Sequence, residues 1–252
     1  MLVEVEGATV VYRRGNAEFR AVDDVSLGLE RGEFVTVMGR SGSGKTTLLN
    51  LIAGAQHPTS GRVTVDGRDV SSMSDRDSSR FRNERIGYVP QRHGLLPSLT
   101  VLENVLLSTQ LYGRGKDPEE AQDLLDRLGI GGLSDAFPRE MSGGEQRRAS
   151  IARSLMNGPD LILADEPTSD LDRESARTVM ELLSRINESG TAVVVVTHEY
   201  DAAVYGRRLL YMESGRIRDA TDRLESLRSG MAGAFFGLRR GFAGKRKGPC
   251  RS

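Results

Sequence analysis

A single cysteine, Cys250, leaves this 252-residue chain unable to form an internal disulfide. That excludes a disulfide-stapled secreted domain and suits a reducing compartment. Net charge is missing too, because 35 Lys and Arg balance 35 Asp and Glu. No overall field draws the protein onto nucleic acid, no nucleic-acid partner is expected, and any electrostatic partnering must be local. No apolar run approaches the roughly 18 residues of a membrane helix, and the β-branched stretch from Ala192 to Val196 suits one buried strand. Glu4 and Glu6 fall where a signal peptide needs apolar residues. No internal repeat is present. With 38% hydrophobic residues the chain can still bury a substantial core in one or two domains.

What the chain does have is the alternation of an α/β protein. Val3 to Glu6, Thr9 to Tyr12, Ala21 to Leu27 and Glu33 to Met38 read as strands, with a turn at Arg31-Gly32 before the last. A glycine-rich stretch follows, after which Thr46 to Ala53 has helical apolar spacing closed by Gly54. The polar segment from Asp66 to Arg85 reads as a surface excursion before a short strand, Ile86 to Val89. Val101 to Leu128 is helical in spacing around a break at Gly113 and Gly115, which predicts an insertion of two or three helices. Asp160 to Ala164 and Thr191 to Thr197 are near-continuous apolar strands flanking a helix from Arg173 to Asn187. That is the pattern of a parallel sheet covered on both faces.

The run Gly39-Arg40-Ser41-Gly42-Ser43-Gly44-Lys45-Thr46 matches G-x-x-x-x-G-K-[ST] between a predicted strand and a predicted helix, the context this motif requires. Its glycines let backbone N–H groups converge on a polyphosphate, assisted by the positive end of the helix. Lys45 then supplies a point charge to the β/γ oxygens, Thr46 a hydroxyl ligand for Mg²⁺, and Thr47 reaches the α-phosphate side. Kinases, GTPases, helicases and transport ATPases all remain open on this motif alone.

Leu161-Ile-Leu-Ala-Asp165-Glu166 is an apolar strand ending in two carboxylates. Where the chain turns at the strand end both can face a nucleotide, with Asp165 suited to the metal and Glu166 to polarising the attacking water. His198 ends the next apolar strand as a candidate γ-phosphate sensor, and Gln91 ends Tyr88-Val-Pro90, within reach of the metal or the water. Each of these two, taken singly, is equally an ordinary structural or surface residue. Met141-Ser-Gly-Gly-Glu-Gln-Arg-Arg148 opens an amphipathic helix in which Ser142 is a natural N-cap and Glu145 completes a capping box.

With these motifs in this order, the chain resembles the ATP-binding subunit of an ABC transporter over residues 1 to 222. The resemblance implies a P-loop NTPase of ABC type: a mixed α/β sheet core with an antiparallel β subdomain and a helical subdomain near 92–157, together spanning 1–225. It implies ATP and Mg²⁺ as ligands, and Tyr12 stacking on adenine; packing of Tyr12 on its own sheet is the alternative. Two copies are expected to pack head to tail, so that Ser142, Gly143 and Gly144 of one meet the γ-phosphate held by Lys45 of the other, while Asp172 bridges the two sites. An integral-membrane permease is the implied partner, and the inner face of the cell membrane, approached from the cytoplasm, the implied location. Gly87 to Asn104 and Leu163 to Asp172 look like the lipoprotein-release, macrolide-export and peptide-resistance branch, in which closure moves the permease mechanically. Ser169-Asp170 and Met141 depart from that branch's pattern. A cell-division ATPase acting on wall hydrolases through a permease, and a soluble regulatory ABC ATPase, are the alternatives.

Residues 226–252 differ in kind, with seven cations, six glycines, three phenylalanines and no acid. They are expected to be either a disordered glycine-rich extension or a contact for anionic lipid. The rest of the chain therefore holds 28 basic against 35 acidic side chains, a net of −7.

Overall fold

Alternation sets the first layer. In β1 (Val3–Arg14) Val3 and Val5 are buried while Glu4 and Glu6 face solvent. Its register against the antiparallel β2 (Ala17–Leu29) then shifts between Val5 and Ala8, where Gly7 has φ +54°. The shift moves the buried set from odd to even positions, Ala8 and Val10. In this computed structural model the described residues are 1–15, 17–92, 94–111, 115 and 117–229. Gly113, on which the predicted helix break falls in part, and residues 230–252 of the tail lie outside them.

After the turn at Gly32 the chain enters β3 (Phe34–Met38), whose five residues are all buried, and passes through the glycine loop into α1 (Lys45–Ile52). β4 (Ser60–Val65) pairs with β1, and the two-residue β5 (Arg68–Asp69) completes a four-stranded antiparallel sheet in the order β2-β1-β4-β5. There follow α2 (Asp75–Arg85), β6 (Ile86–Val89), and three helices that pack on one another: α3 (Val101–Gln110), α4 (Pro118–Arg127) and α5 (Gly143–Leu155). β7 (Leu161–Asp165), α6 (Arg173–Glu188) and β8 (Ala192–Thr197) form the predicted parallel crossover. A short α7 (Tyr200–Ala203) leads to an antiparallel hairpin, β9 (Arg208–Glu213) and β10 (Arg216–Asp219). The second sheet runs β10-β9-β3-β8-β7-β6 and is parallel from β9 to β6.

Period-two alternation divides the core between two layers. Val35, Val37, Val194 and Val196 face α1 and the antiparallel sheet, whereas Phe34, Val193 and Val195 face α3 to α6. Covered on both faces, these strands are apolar throughout. Their C-terminal ends share one edge, and the glycine loop, Glu166 and His198 all leave the sheet there. No helix among the described residues is long and apolar enough to cross a membrane.

Two regions depart from the sequence reading. The segment 66–85 is not only a surface excursion, for it contains β5 and α2. α2 reads as polar because its outer face carries Arg and Asp, but Phe81 enters the core and the buried Ser78 donates to the Gly54 carbonyl at 2.5 Å. At the far end, Leu227 packs on the small cluster of Met38, Ala203 and Leu209, and Arg228 donates to the carbonyls of Val204 and Gly206. The start of the predicted tail is thus attached to the body.

Phe81→Ala is expected to cost about 3–5 kcal/mol in urea unfolding, the usual range for a buried aromatic. A loss below about 1 kcal/mol would return the segment to a loosely attached excursion.

Candidate active site

The loop at 39–44 is shaped by what its glycines leave out. A Cβ on Gly39 would stand 2.3 Å from the Met212 carbonyl oxygen, and one on Gly44 2.0 Å from that of Ala21; Gly44 also has φ +109°. Gly42, at φ +77°, has open space around it. The loop thus lies against β2 and the β9 hairpin with no room for side chains on that side, and the Gly215 N–H donates to the Ser43 carbonyl at 3.0 Å. α1 begins at Gly44 without a side-chain cap, so its first N–H groups have no side-chain acceptor. Ser43 is buried with a hydroxyl that has no partner among the described residues, while Arg40, Ser41, Gly42 and Thr46 are exposed and Thr47 half-buried. An uncapped helix start, a glycine loop held closely on β2 and the β9 hairpin, and an orphaned hydroxyl suit a polyphosphate.

Lys45 is only 6% exposed. Its Nζ donates to the Gly39 carbonyl at 2.8 Å and to that of Arg40 at 3.2 Å, and lies 3.4 Å from Glu166 Oε1. Thr46 Oγ1 donates to Asp165 Oδ1 at 3.2 Å, placing a hydroxyl and a carboxylate together as hard oxygen donors suited to Mg²⁺. Burial pushes the Asp165 carboxyl up from its ordinary value; the Thr46 hydrogen bond opposes that shift and the charge of Glu166 adds to it. Burial likewise pushes the phenol of Tyr88, on β6, up to about 12.

Glu166 has φ +46°, a left-handed conformation rare for a residue with a side chain. That twist turns its carboxylate back over the strand end. There Oε2 accepts from the His198 backbone N–H at 3.2 Å and lies 2.9 Å from His198 Nδ1. The structure therefore brings Lys45, Thr46, Asp165, Glu166 and His198 into one cluster, with the ring of His198 largely open to solvent.

The remaining candidates stand apart from this cluster. Ser142 caps α5 in a reciprocal box: Glu145 Oε2 accepts from the Ser142 N–H at 2.8 Å, and Ser142 Oγ accepts from the Glu145 N–H at 3.4 Å. These bonds hold the Glu145 carboxyl below its ordinary value. Ser142 and Gly143 are exposed, and Gly144 is packed so that a Cβ would meet Ser175 Oγ at 2.8 Å. Among the described residues no hydrogen bond or ion pair joins Ser142, Gly143 or Gly144 to the Lys45 cluster. Asp172 is exposed and caps α6 by accepting from the N–H groups of Glu174 and Ser175, both at 3.0 Å. Tyr12 is half-open on β1, its ring 5.4 Å from that of Phe19 and its hydroxyl donating to Gln56 at 2.7 Å. The Gln91 side chain is exposed and its carbonyl accepts from Arg147 at 2.6 Å.

Sequence reasoning missed two supports of the site. One is the β9–β10 hairpin behind the glycine loop, signalled only by the Ser214-Gly215 turn; Arg216 from this hairpin and Arg20 clamp Asp23, at 2.9 and 2.6 Å, and hold its carboxyl below the ordinary range. The other is Arg147, 1% exposed although it is one of two adjacent arginines in the amphipathic helix.

Comparison with known proteins shows the family and the fold. Residues 22–169 match the family model described as ABC transporter. The chain is 41% identical over 219 residues to the lipoprotein-releasing system ATP-binding protein LolD of Bordetella pertussis (strain Tohama I), covering 86% of this chain and 95% of that one. It is also 41% identical over 227 residues to the probable syringafactin export ATP-binding/permease protein SyfD of Pseudomonas syringae pv. syringae (strain B728a), covering 88% of this chain but only 35% of that longer protein. A solved dimeric structure of the ATP-binding cassette MJ0796 in a post-hydrolysis state, bound to ADP and Pi, superimposes with TM-score 0.81 at 37% identity, covering 86% of this chain and 97% of that one.

Gly44→Ala, which sets a methyl group into the Ala21 carbonyl, is expected to cost about 2–3 kcal/mol in urea unfolding, and Gly42→Ala, which is strained only in φ, about 1 kcal/mol. Equal costs would show that close approach of β2 does not shape the loop.

Proposed function

The chain belongs to the ABC transporter family as an ATP-binding cassette, and from that premise we propose how its residues hydrolyse ATP and what the hydrolysis drives. The observation that carries the reading is the convergence of Lys45, Thr46, Asp165, Glu166 and His198 on one sheet edge beside an uncapped helix start. The loop amides from Gly39 to Thr47 and the ammonium of Lys45 hold the phosphates, with Tyr12 against the base. Thr46, Asp165 and Gln91 are the oxygen donors for Mg²⁺, which supplies charge to the β- and γ-phosphates when bound. Glu166 accepts a proton from the attacking water, and His198, paired with it at 2.9 Å, keeps that carboxylate aimed and senses the γ-phosphate.

Ser142 and Gly143, exposed at a helix N-terminus, and the packed Gly144 behind them serve the nucleotide of a second copy packed head to tail, with Asp172 between the two sites. Loss of the γ-phosphate removes the charge that both helix ends attract, and the pair opens. The cassette takes in residues 1–225, with the helical part near 92–157. The relation to LolD and SyfD supports a partner permease of the export or mechanical-transmission type, with the cassette on the cytoplasmic face of the membrane. For the tail a solvated glycine-rich extension is the first reading; the second is a contact of its cations, six of them in residues 230–252, with anionic lipid, at about 1 kcal/mol for each one near the surface.

Glu166→Gln is expected to retain ATP binding, lose at least about 100-fold in turnover and accumulate an ATP-bound dimer on size exclusion. Lys45→Ala is expected to lose nucleotide affinity instead. Normal hydrolysis by Glu166→Gln would overturn the assignment of the base. For the tail, a chain cut after residue 229 should lose sedimentation with anionic phosphatidylglycerol vesicles at unchanged ATP affinity; equal sedimentation removes the lipid contact.

A further inference from the structure

Two arginines of α5 hold a neighbouring loop by its backbone. Arg147 donates from Nη1 to the Pro90 carbonyl at 2.5 Å and from Nη2 to the Gln91 carbonyl at 2.6 Å. Six residues on, Arg153 donates from Nη1 to the Gly94 carbonyl at 2.7 Å. α3 takes the rest of the loop: the buried Asn104 accepts from the Leu96 N–H at 2.7 Å and donates to the carbonyls of Leu96, Leu99 and Thr100. The run from Pro90 to Thr100 continues β6 of the central sheet, yet its hydrogen bonds hang it on the helical layer.

The Arg147 contact is unusual in kind. Among the described residues no ion pair includes this buried guanidinium; two consecutive carbonyls take its two Nη groups while its Nε has no partner there, and Asp165 and Asp170 lie in electrostatic reach. A planar fork on adjacent carbonyls fixes the orientation of the peptide planes on both sides of the Gln91 Cα, which an ammonium with a single head cannot do. α5 is also the helix whose N-terminus presents Ser142 and Gly143 to solvent.

We propose that Arg147 is a positioning residue that makes Gln91 travel with α5, so that engagement of Ser142 to Gly144 by the nucleotide of a second copy sets where Gln91 stands in its own site. This rests on the reading that Gln91 serves the ATP site and that Ser142 to Gly144 face a partner's nucleotide. Hydrolysis competence in one copy is thereby tied to closure of the other site by a bidentate backbone grip, with Arg153 and Asn104 keeping the loop beyond Gln91 in the same rigid unit.

The test uses the full chain carrying Arg147→Met or Arg147→Lys. ATP affinity is read by nucleotide titration, kcat and KM by steady-state hydrolysis, and loop attachment by hydrogen exchange of residues 91–100. Arg147→Met is expected to keep its ATP affinity within about 2-fold, lose about 10-fold or more in kcat, since small misplacements of a reacting group are costly, and exchange faster over 91–100. Arg147→Lys should recover only part of the turnover. Unchanged kcat in a folded Arg147→Met chain would overturn the proposal, as would equal losses of kcat and affinity, which mark a merely structural residue. Should Arg147→Met not fold, Arg153→Met removes only the Gly94 contact and should exchange faster near 94–96 with about 2- to 5-fold lower kcat; no change in either is equally decisive against it. If Glu166→Gln alone forms no ATP dimer, the dimeric reading fails by itself, and the exchange result still reports on the grip.

Discussion

The structure turns on a cluster of charges that water would otherwise hold: Lys45, Asp165 and Glu166 are each less than 9% exposed at one end of a parallel sheet. Such groups are tolerated in the interior only when paired and hydrogen-bonded. Here the ammonium reaches two carbonyls and one carboxylate, Asp165 takes the Thr46 hydroxyl, and Glu166 takes the His198 amide and ring. Two adjacent acids share one ammonium here, and burial, with the charge of Glu166 adding to it, pushes the Asp165 carboxyl up.

Everything around the cluster serves to hold it still. The parallel strands deliver Glu166 and His198 to the same edge, and the left-handed backbone at Glu166 turns its carboxylate inward. The β9–β10 hairpin and β2 press on the glycine loop so closely that Gly39 and Gly44 have no room for a Cβ. The 225 residues outside the tail segment carry a net charge of −7, so attraction for a nucleotide comes from these local, preorganised donors and not from a global field.

The helical layer stands in a different relation to the site. It presents a capped, exposed helix start at Ser142 that no hydrogen bond or ion pair among the described residues joins to the Lys45 cluster, and its buried side grips the loop carrying Gln91. The solved dimers of the similar cassette MJ0796 fit a cassette that works in pairs. On the proposed reading one helix has two duties at its two sides, outward recognition and inward positioning.

Sequence alone determined the family, the phosphate loop, the two carboxylates, the capping box at Ser142 and the strands β3, β7 and β8. Each of these is written in local spacing: glycines where the backbone must turn, continuous apolar runs where both faces are covered, Ser and Glu three apart at a helix start. Tertiary structure decided the rest. That Phe81 belongs to the core was hidden because α2 shows most of its surface to water. The hairpin behind the glycine loop was hidden because its role is to approach another backbone, which leaves no pattern in its own residues. Arg147 is one of several cations in an amphipathic helix, and only the fold reveals it as buried, because its partners are carbonyls 56 and 57 residues away and any residue type supplies a carbonyl.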